Sequence, residues 1–290
     1  MPSNSLTPDT PLAAGLYVVG TPIGNLADIT LRALSVLARA DLIAAEDTRH
    51  TRRLLAAHGI ERPLISYHEH NEIQRSVQLR DQLREGAAIA LVSNAGTPTV
   101  SDPGYRLVQA AAADGIPVVP VPGVSAVITA LCAAGLPTDQ FTFIGFPARK
   151  KSKRAQQLAA LAALPHTLVF YQSPLRLAAF VQELIEALGD REAVLGREMT
   201  KLHEEFLRGS LSVIGAALDQ RDAVKGECTL LVAGVTAPPP AAVEDVDNAL
   251  QQALASGDRS LNDIAKALAA RFKVGKKQIY DRALELKGRR

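Results

Sequence analysis

The chain has 290 residues, enough for two compact domains and an appendage. Its 47% hydrophobic and 21% charged residues are typical of a globular protein, which excludes the disordered and fibrous classes. Aromatic residues make up only 4%, with no Trp, so ring stacking is excluded as the main way to hold single-stranded nucleic acid. Cys132 and Cys228 make no disulfide framework, which indicates a reducing compartment.

The charge is unevenly distributed along the chain. Residues 259–290 hold ten Lys and Arg against three Asp and Glu, a balance of +7, so the preceding residues sum to −5 within the net +2. A second cluster, residues 149–154, carries five positive charges in six residues. Two such clusters predict a polyanionic partner, with nucleic acid favoured over merely solvated surfaces.

The N-terminal segment carries no targeting signal that we recognise. Residues 1–14 lack the basic start and apolar middle of a signal peptide, and no apolar run approaches the roughly 20 residues of a spanning helix. We therefore expect residues 1–14 to be a disordered lead-in and the protein to be cytoplasmic.

Along the chain, apolar runs alternate with amphipathic stretches, which predicts strands and helices around a mostly parallel sheet. A helix over 29–40 is expected to be capped by Asp28, and further helices end near Gly59 and Gly86 or span 105–113. The predicted strands are 16–19, 42–45, 64–67, 88–93 and 117–121. These elements form an N-terminal α/β lobe over residues 15–122.

The second half continues with a second α/β lobe over residues 123–235. An apolar helix ends near Gly135, another spans 175–188, and the close spacing from Ala193 to Arg208 predicts an antiparallel hairpin. The predicted strands are 141–146, 168–171, 193–197, 204–208 and 228–233. A Pro-rich linker over 236–244 then leads to a helical domain, 245–290, whose last two helices have a helix–turn–helix shape.

Ligands of open parallel sheets bind beyond the carboxyl ends of the strands, so the loops there are the candidate sites. Residues 20–26 follow the first strand with two glycines and a proline, but match neither the dinucleotide nor the phosphate-loop pattern. Residues 93–104 form a long loop rich in Gly, Pro and hydroxyl side chains, and such loops are usually functional. Its small residues Ala95 and Gly96 expose backbone groups that can bind an adenine edge or a carboxylate.

Charged and imidazole side chains follow the second and third strands. Glu46, Asp47 and Arg49 lie together at a strand end, where either substrate contact or surface ion pairing explains them. His68 and His70 form a His-x-His pattern that on extended backbone would place both rings on one face. No third ligand follows at a characteristic spacing, so we predict no metal site.

Together these loops resemble the motifs of bacterial ribosomal RNA 2′-O-methyltransferases of the tetrapyrrole-methylase-like superfamily. The resemblance covers residues 16–235, and the helical tail resembles the C-terminal domain of that family. The matching motifs are Thr21–Leu26, Ala45–Thr51, Ala95–Pro98, Ser101–Gly104, Phe170–Arg176, Arg197–Lys201 and Lys225–Glu227. The family usually has Asp where Asn94 stands and Glu where Gln172 stands; a cofactor held mainly by backbone would tolerate both changes.

The resemblance implies a two-lobed α/β, class III methyltransferase fold with a small C-terminal helical domain. It implies S-adenosylmethionine bound between the lobes, usually in a homodimer, and methylation of a cytidine ribose in the decoding region of 16S rRNA. We place Glu46, Asp47 and Arg49 as catalytic residues that orient the ribose, and Asp47 or Glu46 could accept the proton of the 2′-hydroxyl. The expected cofactor-binding residues are Pro22, Ser93, Asn94, Ala95, Gly96, Thr97, Val100, Ser101, Asp102, Pro122, Ser125, Tyr171, Arg197 and Gly226.

The RNA is expected to contact both the cleft and the distant basic surfaces. The expected substrate-binding residues are Asn25, His68, Asn71, Lys201, Arg149, Lys150, Lys151, Lys276 and Lys277. For His68 a plain surface role is equally consistent. Two other classes remain open: a methyltransferase for a tetrapyrrole or another small molecule, which gains nothing from a basic tail, and a DNA-binding regulator, which leaves the loops without a purpose.

Overall fold

The structure, a computed structural model, describes residues 11–235, 243–256, 260–272 and 275–288. Most of the expected lead-in and linker, residues 1–10 and 236–242, lies outside these ranges. The chain divides into two compact units, one that ends at Gly234 and one that begins at Val235. Both α/β lobes belong to the first unit.

The first lobe is a parallel sheet covered by helices. Its strands are β1 (Gly15–Val19), β2 (Leu42–Ala45), β3 (Leu64–Ser66), β4 (Ala88–Val92) and β5 (Val118–Val121), in the order β3-β2-β4-β1-β5. Its helices are α1 (Leu31–Arg39), α2 (Thr48–Ala57), α3 (Glu72–Arg84) and α4 (Tyr105–Ala113). All four strand pairings are parallel, and every residue of β4 is buried, as expected for a strand covered on both faces.

The second lobe follows α5 (Ala126–Ala134). Its strands are β6 (Phe141–Gly145), β7 (Thr167–Gln172), β8 (Glu192–Arg197), β9 (Glu205–Ser210) and β10 (Cys228–Val232), in the order β6-β7-β10-β8-β9. Its helices are α6 (Lys151–Leu161), α7 (Pro174–Leu188) and α8 (Leu211–Asp219).

The expectation of mostly parallel strands is right for the first sheet and wrong for the second. In the second sheet only β6 and β7 run parallel, and the other three pairings are antiparallel. The connection from β8 to β9 is too short for a crossover helix, so those two strands form the predicted hairpin.

The start of α1 differs from the prediction. Asp28 does not cap this helix, because it ends a short 3₁₀ helix, Leu26–Asp28, after which Ile29 is extended. Thr30 takes the capping position instead, and its hydroxyl oxygen accepts the N–H of Ala33 at 3.0 Å. The carboxylate of Asp28 is thereby left for another role.

The second unit consists of α9 (Val243–Ser256), α10 (Leu261–Phe272) and α11 (Lys276–Gly288). Arg282 of α11 makes a bidentate ion pair with Asp247 of α9. The apolar core between the helices consists of Leu250, Ile264, Ala265, Leu268, Ile279 and Ala283. Across the described residues, no helix combines the length and the hydropathy needed to span a membrane.

Candidate active site in the first unit

Two loops meet at the carboxyl end of the parallel sheet. Thr21, after β1, exchanges two backbone hydrogen bonds with Gly96, after β4, at 2.9 and 3.0 Å. Gly96 has a φ of +75°, a conformation that glycine adopts without strain. The long loop 93–104 is therefore fixed to the loop after β1.

A third loop, which follows β5, approaches β1 even more closely. A Cβ atom added to Gly20 would lie 2.8 Å from the Cα of Gly123, and the reverse substitution gives the same distance. Because real Cβ atoms do not approach backbone so closely, both positions need glycine. The loops after β1, β4 and β5 thus form one compact edge of the sheet.

Beside this edge lies a cavity of about 360 Å³, a volume typical of small-molecule sites. Both lobes contribute to its wall. The lining residues are Ile23, Ala95, Gly96, Thr97, Val100, Ser101, Asp102, Ser125, Ala126, Phe146, Tyr171, Gln172, Ser173, Pro174, Met199, Gly226, Glu227, Cys228 and Thr229.

Nine of the fourteen residues expected to bind a cofactor line this cavity: Ala95, Gly96, Thr97, Val100, Ser101, Asp102, Ser125, Tyr171 and Gly226. Of the other five, Pro22 precedes the lining residue Ile23, and Pro122 lines a neighbouring depression. Ser93 is buried with its hydroxyl on the carbonyl of Ala95, whereas Arg197 pairs with Glu205 at 2.9 Å. Asn94, the last of the five, is described below.

Asp102, which lines the cavity, has a raised pKa. Its partial burial, together with the negative charge of Glu46, raises its pKa from 3.8 to about 6, while the nearby Ser93 hydroxyl opposes the rise. Glu46 itself accepts the backbone N–H of Asn94 at 3.0 Å. A carboxylate with a pKa near the working pH can take up a proton during a reaction.

The wall opposite this loop is apolar and neutral. Tyr171 packs edge-on against Phe143, with ring centroids 5.0 Å apart, and lies 5.5 Å from the ring of Phe146. Burial raises the pKa of Tyr171 to about 12 and that of the Cys228 thiol to about 11, so both groups are uncharged at neutral pH. Asp102 and Glu227 are the acidic residues in the lining.

The three residues expected to be catalytic lie near the cavity but do not line it. Asp47 caps α2, accepting the N–H of Arg49 at 2.8 Å and that of His50 at 3.4 Å. These hydrogen bonds hold its pKa below 3.8, which makes it a weaker base. Arg49 is largely exposed, and Glu46 is half-buried behind the loop 93–104.

His68 and Asn71 lie in the turn between β3 and α3. The Asn71 side chain accepts the backbone N–H of His68 at 2.8 Å and donates to the carbonyl of Ser66 at 3.2 Å, which fixes the turn. Because this backbone turns, the premise of an extended His-x-His segment is wrong: the rings of His68 and His70 stand 5.9 Å apart, edge to face. In the described part of the chain, no cluster of three or more His, Cys, Asp or Glu could hold a metal ion.

The turn between β8 and β9 connects the two lobes. Thr200 has a φ of +67°, and its hydroxyl oxygen accepts the backbone N–H of Asn25 in the loop after β1 at 3.1 Å. Lys201 pairs with Glu198 at 2.7 Å and with the cavity residue Glu227 at 3.1 Å. Asn25 and Lys201 therefore lie at the junction of the lobes.

Most cations of the two basic surfaces are exposed, but one is held in an ion pair and hydrogen bonds within the protein. Arg149, Lys150 and Lys151 are exposed at the start of α6, and Lys276 and Lys277 are exposed at the start of α11. Arg154, in contrast, is half-buried, pairs with Glu183 and donates to the carbonyls of Ala148 and Arg149. These contacts hold the start of α6, so Arg154 differs from the exposed cations of the 149–154 cluster.

The two departures from the family pattern differ in their surroundings. Gln172 lines the cavity, and its side-chain carbonyl accepts the N–H of Ser173 at 2.8 Å, so it holds the start of α7. The Oδ1 atom of Asn94 is buried without a hydrogen-bond partner among the described residues. Asn94 therefore contributes its backbone N–H to Glu46 and leaves its side chain uncommitted.

The family model for tetrapyrrole (corrin/porphyrin) methylases matches residues 15–215. The chain belongs to this family. The ribosomal RNA small subunit methyltransferase I of Mesorhizobium japonicum is 48% identical to it over 284 residues, which cover 97% of this chain and 95% of the relative.

Solved structures of other methyltransferases share the fold. The methyltransferase CobJ superposes with a TM-score of 0.60 at 19% identity, over 78% of this chain and 98% of its own. Uroporphyrin-III C-methyltransferase from Thermus thermophilus, complexed with S-adenosylhomocysteine, superposes with a TM-score of 0.51 at 22% identity, over 75% of this chain and 96% of its own. The class III, two-lobed methyltransferase architecture expected from the sequence is thus confirmed.

Ten cavity residues were absent from the sequence-based site: Ile23, Ala126, Phe146, Gln172, Ser173, Pro174, Met199, Glu227, Cys228 and Thr229. Most lie within or next to the quoted motifs, and the ends of the second-lobe strands could have indicated them. Ala126 and Phe146 carry no chemical signal, because only the packing of α5 and β6 against the cleft brings them there.

Proposed function

We propose that this protein is an S-adenosylmethionine-dependent methyltransferase that methylates the ribose 2′-hydroxyl of a cytidine in 16S rRNA, in the decoding region of the small ribosomal subunit. The observation that carries the proposal is the relative named as a small-subunit rRNA methyltransferase, at 48% identity over 97% of the chain. The cavity and the exposed cations described above support it independently.

The cavity suits a sulfonium cofactor. Backbone groups of Ala95, Gly96 and Thr97 are exposed for an adenine or an amino-acid carboxylate, and the apolar wall at Tyr171 and Phe146 excludes water. Asp102 places a negative charge where it favours a cation. When bound, S-adenosylmethionine would supply the methyl group and leave as a neutral thioether. The structurally related uroporphyrin-III C-methyltransferase has been solved with S-adenosylhomocysteine, the demethylated form of this cofactor.

Asp102 is the best-placed proton acceptor. As the bond from the ribose O2′ to the methyl carbon forms and the sulfur–methyl bond breaks, the hydroxyl proton must leave. Asp102 lines the cavity, and its pKa of about 6 makes it a stronger base than an ordinary aspartate while it stays largely ionised at neutral pH. Glu46 strengthens that basicity through its negative charge.

Glu46, Asp47 and Arg49 remain in the proposal as the residues that orient the ribose. They follow β2 at the edge of the sheet that holds the cavity, and Glu46 fixes the backbone of the lining loop through Asn94. Much of the acceleration of such a displacement comes from holding the hydroxyl close and aligned. If an Asp47→Ala enzyme bound cofactor and RNA normally and kept full turnover, this part of the proposal would fail.

Exposed cations are proposed to hold the RNA backbone. Arg149, Lys150 and Lys151 surround the N-terminus of α6, whose first turn has no acidic residue, so side chains and helix dipole both attract phosphate. Lys276 and Lys277 do the same at the start of α11. Neutralising phosphates releases counterions, so we expect RNA affinity to fall steeply with salt.

The proposal includes a homodimer in the cytoplasm. Ile73 and Val77 lie one turn apart on α3 and are exposed, as is Tyr105 at the start of the adjacent α4. An apolar patch of this kind suits a second copy of the chain. Sedimentation analysis of the purified protein should give twice the monomer mass; a monomer at all concentrations would remove the dimer from the proposal.

The alternative of a small-molecule methyltransferase is tested by the same experiment as the proposal. Purified protein is incubated with labelled S-adenosylmethionine and small ribosomal subunits from a strain that lacks the enzyme, and the rRNA is mapped by mass spectrometry. We expect one added 2′-O-methyl group, on a cytidine. Methylation of a tetrapyrrole, with none of the rRNA, would favour the alternative.

A further inference from the structure

A depression of about 550 Å³ lies beside the cavity, and the proposed function has so far given it no role. Ser125 belongs to the walls of both, so the two spaces are neighbours that share this residue. The depression is lined by Asp28, Thr30, Pro122, Gly123, Val124, Ser125, Ile128, Thr129 and Thr200. Its size falls within the range of small-molecule sites.

The depression contains a carboxylate that the fold leaves unused. Asp28 does not cap α1, because Thr30 occupies that position. Its Oδ2 atom is buried and has no hydrogen-bond partner among the described residues. Asp28 lines the depression. Since a carboxylate that lacks donors is costly to bury, a ligand that brings an N–H group to this side chain would be bound favourably.

Hydroxyl groups also line the depression and can donate hydrogen bonds. The Thr30 oxygen accepts the N–H of Ala33, and the Thr200 oxygen accepts the N–H of Asn25, so each hydroxyl keeps its own hydrogen to donate. Ser125 makes no capping hydrogen bond to α5, and Thr129 lies one turn further along the same helix face. Acceptors on a ligand would therefore be satisfied as well.

This arrangement matches one pyrimidine better than the other. The Watson–Crick edge of cytosine presents an amino donor at N4 beside acceptors at N3 and O2, and Asp is a natural acceptor for the N4 amino group. Uracil presents an acceptor, O4, at that place, which a carboxylate repels. Pro122, Val124 and Ile128 supply apolar surface for the ring.

We infer that the depression binds the base of the extruded target nucleotide and that Asp28 selects cytosine by accepting its N4 amino group. The inference rests on the proposed function and specifies its substrate. The base would then occupy the depression while the ribose lies near Ser125, the residue that lines both the depression and the cavity. An enzyme that acts on a nucleotide inside folded RNA has to extrude it in this way.

The test compares substrates that differ in one base. Small ribosomal subunits are reconstituted with 16S rRNA transcripts that carry cytidine or uridine at the position modified by the wild-type protein, and kcat/KM is measured for each. Asp28→Asn keeps the size of the side chain but offers an amide donor to uracil O4. We expect it to lower the cytidine-to-uridine ratio of kcat/KM by about 10- to 100-fold.

Asp139→Asn serves as the matched control, because Asp139 is exposed and lies outside both lining sets. It should leave the ratio unchanged, and S-adenosylhomocysteine should bind the wild-type protein and both variants equally. An unchanged ratio in Asp28→Asn would overturn the inference.

A binding experiment on the wild-type protein requires no turnover and does not depend on whether a variant folds. Wild-type protein saturated with S-adenosylhomocysteine is titrated with short RNAs that are identical except for one unpaired nucleotide. This nucleotide is cytidine, uridine or the pyrimidin-2-one ribonucleoside, which has hydrogen in place of the 4-amino group. The inference predicts about 10-fold or greater preference for cytidine over both. Equal affinities would refute it, whereas a preference for cytidine without methylation of any rRNA would refute the proposed function alone.

Discussion

Replacing Asp102 by Asn separates catalysis from stability. The substitution keeps the shape of the side chain but removes the group proposed to take the proton of the 2′-hydroxyl. We expect kcat to fall by about 10²- to 10⁴-fold, the usual contribution of a general base. Binding of S-adenosylhomocysteine, which needs no proton transfer, should weaken far less.

The same substitution should lower kcat but raise the stability of the folded protein at pH 8. Because the folded protein raises the pKa of Asp102 from 3.8 to about 6, the folded state favours the uncharged form. The stability that this preference contributes is fully present below pH 3.8 and is lost as the pH rises through about 6. At pH 8 the ionised carboxylate is therefore a destabilising group.

The size of this effect follows from the same change in pKa. For a fully buried group the change would be worth about 3 kcal/mol. Solvent screening at the partly exposed Asp102 reduces it to about 1 kcal/mol. Asp102→Asn should accordingly raise the melting temperature of the first unit at pH 8 by about 2–4 °C, and the gain should vanish below pH 4.

The assay combines methyl transfer to small ribosomal subunits with thermal denaturation across the pH range. For the wild-type protein, kcat/KM should decline on the acid side with an apparent pKa of about 6, because this quantity reports the free enzyme. Asp222→Asn, at an exposed carboxylate outside the cavity, is the control and should change neither quantity. Near-normal turnover of a folded Asp102→Asn protein would refute the assignment.

Three further variants test other parts of the account. Gly123→Ala places a Cβ 2.8 Å from the backbone of Gly20 and should lower the melting temperature measurably; an unchanged value would show that the loops can separate freely. Asp47→Asn keeps an acceptor for the cap of α2 and should preserve the melting temperature while kcat/KM falls about 10-fold, whereas unchanged kcat/KM would leave Asp47 as a cap only. Deletion of residues 240–290 should weaken binding to small ribosomal subunits and flatten its salt dependence with cofactor affinity unchanged; unaltered RNA affinity would assign the helical unit another role.

Local patterns in the sequence predicted most elements but not every strand direction. The alternation of buried strands with helices placed β1 to β5 correctly, because parallel strands read as continuous apolar runs. The second sheet has similar runs, yet three of its four pairings are antiparallel. Only the 193–208 hairpin could be predicted as antiparallel, because the connection between its strands is too short for a crossover helix.

The site was predictable where it consists of loop backbone and less so where it depends on distant side chains. Ala95 to Asp102 follow one strand, and their composition indicates a binding loop. The influence of Glu46 on Asp102, in contrast, joins residues far apart in the sequence through the packing of β2 against β4. The sequence predicts Asp28 as a helix cap because it directly precedes the stretch that begins at Ile29. The extended backbone at Ile29 instead moves the cap to Thr30.

Calorimetric titration with S-adenosylhomocysteine tests the central claim, that the cavity between the lobes is the cofactor site. Val100→Trp fills the cavity from an exposed loop position, while Val213→Trp adds the same side chain to exposed α8, outside the lining. We predict one site per chain, lost in Val100→Trp and kept in Val213→Trp. Undiminished binding to Val100→Trp, or no binding to the wild-type protein, would contradict the account.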